Sequence, residues 1–224
     1  MQSAARSVQL AMKRIVDFTV AMVGLIVLSP LLLIIAVAIR LDSPGPVFFR
    51  QRRLGKDGST FRIFKFRTMV DRALQIGTGM VALPDDPRYT RVGRLLRSTS
   101  LDELPQVINV VKGDMSLIGP RPTIPAHLEY YGQHERRRLD MLPGVTGWAM
   151  VHGRSSNPWS VRIRYDVEYV ERFSLWMDMV ILLKTIATVF KREHVTYDFA
   201  KLGNAFDLTK PGETKEERDR RTDI

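Results

Sequence analysis

The sequence predicts an α+β protein, mostly helical, with a small β-hairpin sheet. At its N-terminus it predicts a broken, re-entrant membrane helix, with amphipathic helices at the membrane interface. Three observations carry this. Phe18 to Ile39 is a run of 22 residues without a charge. Residues 44–69 hold two β-prone runs around a turn. Residues 174–192 repeat apolar side chains at helical period behind a serine. With 224 residues and 45% apolar composition, the chain can bury a core and is neither disordered nor polytopic.

The first run, as a straight helix, would be about 33 Å long and could cross a hydrocarbon core. Ser29-Pro30 interrupts it, with 11 residues before and 9 after. Pro30 cannot donate to the carbonyl of Ile26, so a kink or break is expected there, with the Ser29 hydroxyl as a candidate replacement donor. Basic residues flank both ends: Arg6, Lys13 and Arg14 before, Arg40, Arg50, Arg52, Arg53 and Lys56 after. Positive charge marks the cytoplasmic side, so a helix that enters, turns and leaves on one face satisfies both observations. A Pro-kinked span and a buried helix of a soluble core are the alternatives. Asp17 lies three residues after Arg14, at pairing distance on a helix. The segment 1–43 is read as one part, 44–195 as a domain on the cytoplasmic face, and 196–224 as a polar tail, disordered from 210.

Strands at 46–54 and 60–66 flank the turn Gly55–Ser59. Arg88 to Arg97 reads as a short basic helix with Val92, Leu95 and Leu96 inward. Helices follow at Leu101–Val111, Ile124–Leu139 and Trp159–Phe173, with a turn and short strand at 144–151. Ser174 caps the last helix, to about Arg192. Its stripe (Leu175, Trp176, Met179, Val180, Leu183, Ile186, Ala187, Phe190) suits either the core or a membrane interface.

Charge narrows the function. Lys plus Arg number 34 against 24 Asp plus Glu, a net of +10, which points to anionic partners. There are no cysteines, so disulfides, thiol nucleophiles and zinc–thiolate or iron–sulfur sites are excluded. The four histidines show no metal-ligand spacing.

The chemistry concentrates at Ser100-Leu101-Asp102-Glu103-Leu104-Pro105. Ser-x-x-Glu is a capping box, and Asp102 could itself be an N-cap, so a purely structural role is open. The surroundings favour more. Arg88, Arg91, Arg94 and Arg97 precede the pair and Arg121 follows it, and Arg forks bind phosphate oxygens bidentately. A carboxylate can attack phosphorus to give an acyl phosphate, once arginines and a divalent metal neutralise the meeting anions. Magnesium suits a site with few carboxylates and substrate phosphates.

The ordered set of motifs resembles the bacterial monotopic phosphoglycosyl transferases over roughly residues 12–192. It comprises Lys13-Arg14-x-x-Asp17, Ser29-Pro30, Arg50-Gln51-x-Arg53-x-Gly55 and Phe64–Met69. Asp86-Pro87-Arg88, Arg91-Val92-Gly93, Ser100–Gln106, Lys112–Pro122 and Pro143–Trp148 complete it. With 12 residues before Lys13, the chain resembles the small, minimal members.

The resemblance implies a ping-pong transfer from a UDP-sugar to polyprenyl (undecaprenyl) phosphate in the bacterial cytoplasmic membrane. Asp102 would be nucleophile and Mg2+ ligand, and Glu103 its assistant. Arg97 and Arg121 would contact phosphate, with Lys65 and Arg67 behind them. Arg88 and Asp166 match further family positions and are weaker substrate contacts. The loop 152–157 would bear on sugar choice. Partners are the lipid bilayer and no nucleic acid; a homo-oligomer is left open. A non-catalytic basic membrane scaffold is the alternative. A nucleic-acid-binding role lacks any helix-turn-helix, RNP or zinc motif.

Overall fold

A computed structural model describes residues 2–75, 86–153 and 157–190. The polar tail, disorder at 210–224 included, lies outside them. The described residues fall into two compact units. One takes those of Met1–Gln51 and Arg62–Leu117, the other those of Arg52–Phe61 and Ile118–Ile224. Strands β1 (Phe48–Leu54) and β2 (Thr60–Phe66) form one two-stranded ribbon, and β3 (Ser116–Ile118) and β4 (Gly144–Thr146) another.

In the first unit, α1 runs unbroken over Gln2–Asp42 with Pro30 inside it. The expected break at Ser29-Pro30 is therefore not a helix end. The physical reason is local. Pro30 strands the Ile26 carbonyl, and the Ser29 hydroxyl donates to that oxygen at 2.7 Å. Among the described residues α1 alone is long and apolar enough to cross a membrane, and only 11% of its most apolar window is buried. Val23, Ile26, Val27, Leu33, Ile34 and Leu41 stand exposed, so the reading as a soluble-core helix fails.

The two ends of α1 are anchored. Asp17 faces Lys13 at 3.6 Å and accepts from the Ser116 hydroxyl at 2.6 Å, and from the Leu117 amide. Arg14 does not bridge to Asp17. It donates to the Val110 carbonyl at 2.8 Å, at the C-terminal end of α3 (Gln106–Lys112), where a cation meets the helix dipole. Gly113 ends α3 in the left-handed region at φ +91°, with its N–H on the Asn109 and Val110 carbonyls.

At the other end of α1, Ile35 and Ile39 form one core with Phe66 and Leu96, and Val92 and Leu101 pack against it. Helix α2 (Arg91–Thr99) begins at Thr90, whose hydroxyl accepts from the Gly93 amide at 2.9 Å. Asp42 accepts from the Val92 amide at 3.0 Å, joining the end of α1 to the start of α2. Its carboxyl is held below its usual range, first by the Thr90 hydroxyl. Val92 and Leu96 face inward as expected. Leu95 does not: it is 61% exposed, because it lies one helical step off the packed seam.

The hairpin forms as expected, with β2 on its expected bounds, β1 starting at Phe48 and not at 46, and a short 3₁₀ turn at Lys56–Gly58. Asn109 ties α3 to β2: its Oδ1 accepts from the Phe64 amide at 2.9 Å and its Nδ2 donates to the Arg62 carbonyl at 2.8 Å.

In the second unit the single helix expected at Ile124–Leu139 is two 3₁₀ turns, Pro125–Tyr130 and Arg137–Leu139, around a four-residue α4 (Gln133–Arg136). The strand read into 144–151 stops at Thr146, and Trp148–Val151 is a one-turn α5. Helix α6 is Trp159–Arg172 and α7 is Leu175–Phe190. The Ser174 hydroxyl accepts from the Met177 amide at 3.1 Å, the expected cap. The buried side of α7 holds Asp178 and Ile181, whereas Trp176, Met179, Leu183 and Ile186 are exposed. Most of the predicted stripe therefore faces outward, with Leu175 and Val180 half-buried.

Arg138 organises this unit from a buried position. It donates to the Tyr131 hydroxyl at 2.6 Å, to the Arg121 carbonyl at 2.8 Å and to Asp166. Burial alone would pull its guanidinium down, but Asp166 and Tyr131 more than offset that, so it stays charged. His127 packs edge-on against Trp159, with ring centroids 4.8 Å apart. Burial, then Arg138, Arg53 and Arg162, push the imidazole down to about 4.

A folded-state value below the ordinary 6.5 means that the unfolded chain binds the proton first. Stability should therefore fall as pH drops from about 6.5 to about 4, by on the order of 1–2 kcal/mol after solvent screening is allowed for. Thermal unfolding of detergent-solubilised protein against pH tests this. His127→Phe, which keeps the ring contact, should lose that part of the acid sensitivity.

Candidate active site

The site is built on the turn between α2 and α3. Ser100 closes α2 in the left-handed region at φ +58°, its N–H on the Arg97 carbonyl. Residues Leu101–Glu103 then make one 3₁₀ turn, with Asp102 buried in its middle. Ser100 makes no side-chain cap there, so the capping box is not formed, and Asp102 is not an N-cap. Two further turn bonds, Glu103 N–H to Ser100 and Leu104 N–H to Leu101, fix the backbone.

With the cap unused, the two carboxylates go elsewhere. Glu103 accepts from Lys65 Nζ at 2.6 Å, in a contact largely shielded from water. Asp102 Oδ2 lies 3.6 Å from Arg97 Nη1, and its side chain is 4% exposed against 40% for Arg97. Each acid thus faces a cation from a different element, one from β2 and one from α2. Chain neighbours of these residues (Phe66, Leu96 and Leu101) sit in or against the core around Ile35 and Ile39 of α1. The end of the apolar helix therefore underlies the site.

The structure brings together Asp102, Glu103, Lys65 and Arg97. It places Arg67 and Arg88 elsewhere in the same unit. Arg67 is buried and donates to the Pro44 and Ser43 carbonyls at 2.6 and 2.7 Å, closing the segment after α1. Burial pulls its guanidinium below the ordinary value. Arg88 makes a two-point pair with Asp86 at 2.8 and 2.6 Å and donates to the Ala73 carbonyl. Asp114 accepts from Asn109 Nδ2 at 3.1 Å and lies 3.6 Å from Lys112 Nζ.

Arg121 and Asp166 belong to the second unit. Arg121 lines a small cleft with Pro120, Pro143 and Arg138, and its Nη1 is 3.4 Å from Met150 Sδ. Asp166 is the buried partner of Arg138 and no surface carboxylate. Arg138 was not legible as important: it closes an Arg136-Arg137-Arg138 run that reads as solvated surface. In the loop at 152–157, His152 stacks on Tyr165 and its Nδ1 is 2.9 Å from the Trp148 carbonyl; residues 154–156 lie outside the description.

The donor set bears on the metal. Among the described residues no three or more His, Asp or Glu side chains are placed to hold a metal ion together. Two adjacent carboxylates fit an ion that takes one or two protein oxygens and completes its shell with substrate phosphates and water.

Comparison with known proteins is consistent in direction. Residues 8–192 match the family described as bacterial sugar transferase. The chain is 41% identical over 184 residues to an uncharacterised sugar transferase, EpsL, of Bacillus subtilis, covering 82% of this chain and 90% of that one. It is 44% identical over 185 residues to the UDP-glucose:undecaprenyl-phosphate glucose-1-phosphate transferase of Xanthomonas campestris. That match covers 79% of this chain but 38% of the longer relative. A Caulobacter vibrioides protein of the same name is 42% identical, over 81% of this chain and 71% of its own length.

Proposed function

The chain belongs to the bacterial sugar transferase family, and from that premise we propose that it moves a sugar 1-phosphate from a UDP-sugar to polyprenyl phosphate. The observation that carries this reading is the Asp102–Glu103 turn, where an unmade helix cap leaves both carboxylates to cations. The relatives named for undecaprenyl-phosphate transfer support the substrate classes. The product would be a polyprenyl-diphosphate-sugar, the first membrane step of an exopolysaccharide or other glycoconjugate.

The chemistry runs in two displacements. An Asp102 oxygen attacks the β-phosphorus of the UDP-sugar, and the bond from that phosphorus to the bridging oxygen breaks. UMP leaves with the electron pair, and an acyl phosphate holds the sugar phosphate on Asp102. A phosphate oxygen of the polyprenyl acceptor then attacks the same phosphorus and expels the Asp102 carboxylate. Arg97 sits where it can follow the charge that leaves Asp102 for the phosphoryl oxygens. Lys65 fixes Glu103 beside the nucleophile, so that Glu103 can hydrogen-bond or accept a proton at the reacting phosphate. Magnesium, held by Asp102 and the substrate phosphates, would neutralise charge between the meeting anions. The exposed apolar length of α1 supports seating in a bilayer, where a lipid phosphate emerges; a re-entrant placement from the cytoplasmic face is our reading of the basic residues at both ends of the apolar run. Taken by itself, α7 also suits a membrane interface, with Trp176 and Leu183 outward.

UMP release from a panel of UDP-sugars, with magnesium and undecaprenyl phosphate, tests the reading and identifies the sugar. No release from any donor would favour a non-catalytic membrane scaffold. Within that assay, Glu103→Gln should slow release by roughly 10²-fold. Lys65→Met should act in the same direction. The double variant should be no worse than the poorer single one, because the two side chains act as one unit.

A further inference from the structure

We propose that the outer face of α2 is the docking strip for the lipid acceptor, with Arg91 and Arg94 receiving its phosphate and Leu95 the first units of its chain. This rests on the transfer reading above, and it names the residues of the acceptor half-reaction.

The argument starts from the helix itself. Gly93 and Leu96 are buried and Val92 half-buried, so one side of α2 is fixed against the core. The other side exposes Arg91, Arg94 and Arg97, and the helix contains no acidic residue. Spacing of three residues runs these guanidinium groups along one stripe. The last of them is the arginine 3.6 Å from Asp102. A row of cations therefore leads along α2 to the nucleophile, and phosphate is the anion that Arg forks fit.

Leu95 gives the row its second character. A lone exposed leucine means little. This one stands between the arginines and the seam where Leu96 and Val92 meet Ile35 and Ile39 of α1. Across that seam α1 exposes Leu33, Ile34, Val37 and Leu41. Cationic stripe, exposed leucine and apolar helix follow one another on one unit. A ligand that matches all three carries a phosphate monoester on a long apolar chain. The UDP-sugar has no such chain. A bilayer phospholipid shares the chemistry, and the test must separate the two.

Detergent-solubilised full-length protein suffices. UMP release without acceptor reports the donor half and the integrity of the fold. Transfer to a long-chain polyprenyl phosphate and to a short-chain prenyl phosphate then reports the acceptor half. An Arg91→Gln, Arg94→Gln double variant should keep the UMP burst and raise the KM for both acceptors by about tenfold. Leu95→Ser should raise the KM for the long chain and leave that for the short chain unchanged. Unchanged acceptor KM values would overturn the proposal, even if binding to anionic vesicles falls, since the face would then serve only the bilayer. Loss of the burst in these variants would overturn it too, by placing the residues in the donor half. Absence of a burst in the wild type would instead sink the transfer reading beneath it.

Discussion

Asp102→Asn should abolish UMP release, with a loss of at least about 10³-fold and no compensating change in donor affinity. The amide is nearly isosteric with the carboxylate, so the 3₁₀ turn at Leu101–Glu103 should stand, and the unfolding temperature should move little. It carries no anionic oxygen to attack phosphorus. The second readout is covalent. Wild-type protein given a UDP-sugar and no acceptor should gain the mass of one sugar phosphate, and the variant none. A variant that still releases UMP at a tenth of the wild-type rate would show that Asp102 is not the nucleophile, and the two-displacement scheme would fall with it.

The largest structural effect should come from Gly93→Ala. A Cβ at Gly93 would lie 1.9 Å from the Thr68 carbonyl oxygen and 2.5 Å from its carbon. Both are backbone, so the helix and the segment after β2 would have to separate. Overpacking of this kind costs about 1–3 kcal/mol or more, a large part of a typical total of 5–15 kcal/mol. The unfolding temperature should fall by several degrees. Activity should fall further than stability, because the displaced helix carries Arg97 and ends at Ser100. The conservative control is Gly24→Ala on α1, where a Cβ meets nothing within 4 Å. If both variants unfold at the wild-type temperature, the close approach at Thr68 is not made.

What could be read from the sequence was whatever short-range chemistry decides. The hairpin follows from β-prone runs around Gly55–Ser59, and the start of α7 from a serine three residues before an amide. The acidic pair stood out because carboxylates among so many arginines demand an explanation. The misses share a cause. Ser100-x-x-Glu103 has the pattern of a cap, but Lys65, 38 residues earlier in the chain, takes the glutamate instead. Lys65 and Arg67 look alike two residues apart, yet one reaches the acidic turn and the other the carbonyls after α1. Nothing local distinguishes them. Arg138 reads as one more surface charge until Asp166 is brought to it from α6. Leu95 was assigned inward because two adjacent leucines on a short helix cannot be ranked without knowing where α1 lies.

The hydrogen bond from Ser29 to Ile26 gives the long helix a particular freedom of placement. A proline in an apolar helix usually leaves a carbonyl that must find water, a headgroup or another chain, and such partners exist only at certain levels. Here the missing partner is supplied by the preceding residue of the same helix. The irregularity is electrically closed and travels with the segment. In a bilayer, the depth of Pro30 would then be set by where the protein holds α1, with Arg14 on Val110 and Asp17 on Ser116 before it and Ile39 in the core after it, and not by the irregularity itself.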